Sequence, residues 1–184
     1  HHLYEVGQLD LERNERVLSC LIFLQIYFLF FIFPSLDILY ICGVMKTIQF
    51  FNLRSENLLV SDLKHWLDLV ADHYQVTLEQ FVVNFIDKDQ MLEMNKKYLD
   101  HDTHTDILTF DYGNQLVINA ELFVSTYMCT LNAEENGQTT ENEMIRLISH
   151  GFLHTIGYSD KLPQEKLIMT EQEDLCISMF HVKQ

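Results

Sequence analysis

Residues 146–161 read Arg-Leu-Ile-Ser-His-Gly-Phe-Leu-His-Thr-Ile-Gly-Tyr-Ser-Asp-Lys. His150 and His154 stand four apart in a helical pattern, so their side chains lie on one face, about one turn apart. Two imidazoles so placed can share one metal ion, as in the zinc motif H-E-x-x-H. Gly157 supplies a helix stop, because glycine takes the left-handed cap without steric cost. The chain can then turn back and bring Asp160 to the same ion. Two histidines, a carboxylate and a water make an open site, usually of Zn²⁺: three protein ligands hold one ion and the fourth position activates water. The plainer alternative is a polar pair on a half-exposed helix, since the chain has nine His.

Position 151 is Gly, not Glu. The peptidase version of the motif keeps its general base there, so the common zinc-peptidase mechanism is unavailable from this helix. The remaining readings are a hydrolase of another kind or a module whose ion is structural.

The elements that must position these residues follow from periodicity. Residues 46–52 form a short β-prone run. Residues 58–74 place Leu59, Leu63, Trp66, Leu67 and Val70 at helical spacing. Phe81–Ile86 is rich in β-branched and aromatic residues and reads as a strand. A helix is expected over 88–99, polar loop over 100–104, and strands over 105–111 and 115–119 around the turn signal Gly113-Asn114. Helices are expected over about 120–132, 141–156 and 164–180, with Gly137 in the loop between the first two. This is an α+β domain: about four strands in a mixed sheet, with an antiparallel hairpin at 105–119, packed with about five helices. The acidic run of the last helix, Glu171, Glu173 and Asp174, is expected to be a solvated face.

The chain of 184 residues divides in composition. Residues 1–44 carry five acids and two bases and include an uncharged apolar run over 17–33. That run sits at the short end of the roughly 17–25 residues that span a bilayer. Residues 1–44 are read as a hydrophobic N-terminal extension, either a membrane anchor or upstream sequence from a start assigned too early; residues 45–184 are read as the metal-hydrolase domain. The whole chain has a net charge of −15, and 45–184 keep twenty-two acids against ten bases. Such acidity argues against holding nucleic acid by bulk charge. The four Cys have no CxxC spacing and read as thiols of a reducing, cytoplasmic compartment.

Two stretches carry a resemblance. His150-Gly-Phe-Leu-His154-Thr-Ile-Gly157-Tyr-Ser-Asp160 is similar to the H-G-x-L-H-x-x-G-Y-D-H signature of the YbeY family. Asn95–Phe110 resembles that family's N-x-x-Y-R-x-x-D-x-P-T-D-V-L-S-F. The resemblance spans about residues 45–180. It implies a single-strand-specific, zinc-dependent endoribonuclease of rRNA processing, acting in 16S rRNA 3′ end maturation and ribosome quality control. The implied partners are rRNA and the small ribosomal subunit, together with a basic ribosomal protein or an assembly GTPase suited to so acidic a chain.

Three departures from the pattern matter. Asp160 stands where the family has its third His ligand; a carboxylate is still a zinc ligand, but it lowers the charge of the site. Leu99 stands where the family has Arg. His104 stands where it has Pro, so His101 or His104 is a candidate replacement for the missing cation or acid, since histidine titrates near neutrality. Asp106, with Thr105, matches the family's Thr-Asp, either capping a turn or orienting a ligand histidine. His104 and Asp106 are thus the candidate catalytic residues, and His150, His154 and Asp160 the candidate ligands. Lys96, Lys97 and Arg146 are candidate phosphate contacts. Leu99 and the acidity favour a second reading, a metal-stabilised ribosome-assembly factor with weakened catalysis.

Overall fold

The structure is a computed structural model that describes residues 46–99 and 102–181. The N-terminal extension, with its apolar run over 17–33, and His101 lie outside the described residues. No helix among the described residues is long and apolar enough to cross a membrane.

Four strands and five helices follow one another along this part of the chain: β1 (Thr47–Phe51), α1 (Val60–Tyr74), β2 (Thr77–Ile86), α2 (Lys88–Leu99), β3 (Ile107–Asp111), β4 (Val117–Ser125), α3 (Thr126–Glu135), α4 (Thr140–Thr155) and α5 (Pro163–His181). The strands form one mixed sheet in the order β1-β2-β4-β3. β1 and β4 run parallel to β2, joined to it by helical crossovers, and β3 returns antiparallel to β4 as the expected hairpin. The α+β class, the strand number and the helix number agree with the sequence reading.

Two boundaries moved by four residues or more. The helix expected from about residue 120 begins at Thr126, because β4 runs on to Ser125. Its residues alternate between half-buried and buried, with Ile118, Ala120, Leu122 and Val124 inward. That period of two marks a strand, although Ala, Glu and Leu in the same stretch favour helix. Hydrogen bonding on both sides, to β2 and β3, holds it extended. Ser125 then caps α3 by accepting from the Met128 amide at 3.3 Å. β2 likewise starts at Thr77 rather than 81, since a central strand can pair along its whole length.

The sheet buries its two faces unequally. Leu63, Trp66 and Leu67 of α1, Ile145, Ile148 and Phe152 of α4 and Cys176 of α5 close over Phe81, Val83, Ile118 and Leu122. On the other face Met91 and Met94 of α2 meet Leu108, Phe110 and Phe123. α4 lies in the larger core, and its packing sets where its histidines point.

Candidate metal centre

α4 begins at Thr139, whose hydroxyl accepts from the Asn142 amide at 3.1 Å. Met144, Ile145, Leu147, Ile148, Phe152 and Leu153 recur at core spacing and are buried. Gly151 lets the helix approach the sheet. A Cβ there would stand 2.6 Å from Leu122 Cδ2 and 3.0 Å from Ile107 Cδ1. The side that carries the base in H-E-x-x-H proteins is here pressed on β3 and β4, which is the physical reason that no Glu stands there. His150 and His154 emerge on the remaining side, half-buried.

The helix then stops as the glycine predicts. The Gly157 amide donates to the His154 carbonyl at 3.1 Å and the Tyr158 amide to the Leu153 carbonyl at 3.0 Å. With Gly157 at φ +98°, this is the paired-bond cap of a Schellman turn. The turn also orients a candidate ligand: His154 Nδ1 lies 2.9 Å from the Tyr158 carbonyl oxygen. Two residues on, Asp160 places Oδ2 3.9 Å from His150 Nε2 and Oδ1 4.0 Å from His154 Nε2. Glu165, in the first turn of α5, holds this loop. Its Oε2 accepts from the Ser159 hydroxyl at 2.7 Å and from the Lys161 and Leu162 amides at 3.1 and 3.0 Å. The Ser159 hydroxyl and these amides stabilise its carboxylate and lower its pKa.

One ligand atom from each of His150, His154 and Asp160 lies within 4.8 Å of the others, so the three offer a ligand set for one ion. The chemistry of the donors fits a cation. His150 Nδ1 meets Glu173 Oε1 at 2.6 Å, and His154 Nδ1 meets a carbonyl. A carbonyl and an ionised carboxylate only accept, so these contacts favour a proton on each Nδ1. In two neutral rings with that tautomer the Nε2 lone pairs would face one another across 2.9 Å. Two facing lone pairs repel, and positive charge between the rings relieves them.

Glu173 corrects the sequence reading. It was expected on a solvated face, but it is 5% exposed. α5 packs along α4 and turns this one acid of the run inward. Its other oxygen lies 3.4 Å from Arg146 Nη1. Arg146 is no free phosphate contact either: Nε and Nη2 donate to the two oxygens of Glu143 at 2.8 and 2.6 Å. Hydrogen bonding to Glu143 outweighs desolvation and raises the pKa of this guanidinium. An arginine within a helix looks solvent-facing in sequence; a buried acid at i−3, Glu143, was the available signal.

The candidate ligands open into a cleft of about 400 Å³, lined on the other side by Thr105, Asp106, Ile107, Leu108, Thr109 and Asp111. β3 is the sheet edge, so its outward backbone groups form part of that wall. Asp106 stands in the wall and accepts from Asn132 Nδ2 at 3.2 Å, with Arg146 Nη2 at 3.7 Å. His104 does not line the cleft. Its ring stacks edge-on to Tyr127 at 6.0 Å, and its buried Nδ1 has no hydrogen-bond partner. Lys96 pairs with Asp102 at 2.8 Å, and Lys97 covers the Tyr98 ring at 4.8 Å, both on α2. Leu99 ends α2. Cys129 and Cys176 are free, buried thiols.

A mixed four-stranded sheet that backs a helix bearing two imidazoles, with a carboxylate on the next turn, defines a small α+β domain built around an open candidate metal-ligand cluster. The family profile described as Endoribonuclease YbeY matches residues 47–181. Endoribonuclease YbeY of Bacteroides thetaiotaomicron is 36% identical over 131 residues, covering 68% of this chain and 96% of the relative. That of Flavobacterium psychrophilum is 39% identical over 100 residues, covering 54% of this chain and 71% of the relative. A Thermotoga maritima protein solved in solution shares the fold, with a TM-score of 0.55 at 24% identity over 72% of this chain and 88% of its own. The chain belongs to the endoribonuclease YbeY family.

Proposed function

We propose that this protein is a zinc-dependent endoribonuclease that cleaves single-stranded rRNA in the maturation of the small ribosomal subunit, with His150, His154 and Asp160 holding one Zn²⁺. As a family member it is an endoribonuclease, a hydrolase of phosphodiester bonds. The observation that carries the zinc reading is the pair of Nε2 atoms 2.9 Å apart, each freed by a partner on its Nδ1, with Asp160 beside them.

A bound divalent cation supplies a Lewis acid for a phosphoryl oxygen and acidifies a water. This chain's residues prepare for it. Glu173 and the Tyr158 carbonyl keep the protons on the Nδ1 atoms and the lone pairs on Nε2. Asp160 contributes the anionic ligand. The cleft wall contributes Asp106 and Asp111 and no Lys or Arg. Without a cation, three carboxylates would repel a phosphodiester; a divalent ion held by His150, His154 and Asp160 would offset most of that charge beside the substrate. Asp106 is held by Asn132 and Arg146 and orients the wall. Gly151, closed against the sheet, supports a phosphodiesterase over a peptidase.

The test is His154→Ala, shown free of metal, against the unsubstituted protein on single-stranded RNA. Cleavage is lost, and undiminished cleavage sinks the reading. A second reading, a cytoplasmic assembly factor whose ion is structural, is favoured by the cation-free wall and by Arg146 being committed to carboxylates. On that reading a basic ribosomal protein or assembly GTPase is the partner, metal removal unfolds the domain, and subunit association persists without turnover.

A further inference from the structure

We propose that Glu173 is the positioning residue of the ligand His150, and that Arg146, clamped by Glu143, sets the Glu173 carboxylate in place. The inference rests on the reading of His150 as a metal ligand.

The two ligand histidines obtain their orientation differently. His154 uses the carbonyl of its own Schellman turn, four residues away. His150 lies mid-helix, where the carbonyls are spent on the helix ladder, so it needs a partner from elsewhere in the fold. Glu173 provides it from α5, with Oε1 2.6 Å from Nδ1. An acceptor there fixes both the tautomer and the rotation of the ring, and raises the basicity of Nε2.

Charge pairing with Arg146 does not by itself account for Glu173. Arg146 already has a two-pronged partner in Glu143, at 2.6 and 2.8 Å. Its bond to Glu173 Oε2 is the longest of its three hydrogen bonds, at 3.4 Å, while the short contact of that carboxylate is to the imidazole. Burying a second carboxylate beside one guanidinium is costly unless each oxygen is used. Here one oxygen takes the guanidinium and the other takes the ring. The run Glu143, Arg146, Glu173, His150 ties the middle of α4 to α5 and ends at the ligand cluster. Nη2 of the same guanidinium also lies 3.7 Å from Asp106 in the cleft wall.

The test compares Glu173→Ala and Glu173→Gln with the unsubstituted protein in two readouts. The first is Zn²⁺ affinity by competition with a chromogenic chelator. Glu173→Ala weakens it about 10- to 100-fold, and Glu173→Gln less, because an amide oxygen still accepts from Nδ1. The second is the ¹⁵N NMR tautomer of His150 in metal-free protein. The unsubstituted ring carries its proton on Nδ1, and Glu173→Ala releases it to a mixture. A merely structural ion pair would lower thermal stability and leave the tautomer alone. Equal affinity of Glu173→Ala and the unsubstituted protein overturns the proposal, as does an unsubstituted ring protonated on Nε2. If Glu173→Ala does not fold, Glu173→Gln and the unsubstituted ring decide. If the unsubstituted protein binds no Zn²⁺, the metal-centre reading falls, and the tautomer alone decides the role of Glu173.

Discussion

Two stretches line the same cleft and are built in opposite ways. On the side of α4 and its following turn, each part of the candidate metal centre has a partner: His150 has Glu173, His154 has the Tyr158 carbonyl, and the loop bearing Asp160 has Glu165. On the side leading into β3, contacts are fewer and longer. Thr105 Oγ1 reaches the Ile107 carbonyl at 3.5 Å, and Asp106 shares Asn132 and a distant Arg146. Behind it, His104 Nδ1 and Asn95 Oδ1 are buried without partners, each of which costs about 1–3 kcal/mol. The difference teaches that this fold concentrates its order on the candidate ligands. A metal site needs its donors fixed before the ion arrives, whereas a wall that meets a flexible substrate does not.

Arg146→Met is the strongest way to break that contrast. It leaves Glu143 and Glu173 buried beside one another without a counter-charge, and removal of one partner of a buried pair costs about 3–5 kcal/mol. Urea unfolding of the metal-free protein measures it; a loss below about 1 kcal/mol, the range of surface pairs, would show that the ordered side is not held by this network. Gly157→Ala comes next. A side chain in the left-handed region costs about 1–2 kcal/mol, and its Cβ would meet Gln115 Nε2 at 2.7 Å. Stability should fall by that amount and Zn²⁺ affinity with it, because the carbonyl that orients His154 sits on the next residue. Loss of stability with affinity intact would separate the turn from the site.

The turn's other fastening predicts a pH dependence. The pKa of Glu165 is lowered by the Ser159 hydroxyl and by the Leu162 and Lys161 amides. A depressed carboxyl stabilises the fold above its unfolded pKa, about 4.3 for Glu, and that contribution is lost as pH falls through the lowered folded value. Glu165→Gln should therefore be less stable than the unsubstituted protein at neutral pH, and the gap should narrow in acid. A gap unchanged down to the most acidic folded condition would mean that packing, not charge, fastens the loop.

The smallest effect is expected from the less ordered side. His104→Gln should leave RNA cleavage within about threefold, because His104 stands outside the cleft lining; a fall of about 100-fold, the contribution of a general acid or base, would return that side to the chemistry.

What the residue string revealed and what it hid divide along sequence distance. His150, His154, the Gly157 stop and Asp160 lie within eleven residues, and helix periodicity with one glycine cap brings them together wherever the helix packs. The strands and helices themselves follow from short-range patterning, except where β4 outran its helix-favouring composition because two neighbouring strands hold it. Glu173 resembled its acidic neighbours Glu171 and Asp174, and Arg146 resembled any helical cation. Their roles depend on α5 lying along α4, with Trp66 Nε1 donating to the Cys176 carbonyl at 2.8 Å, a contact across 110 residues. By itself the sequence determined which atoms can bind an ion. Only the tertiary structure decided which acid is buried, which ring nitrogen meets an acceptor and which arginine is spent, because burial and pairing are set by packing between distant segments.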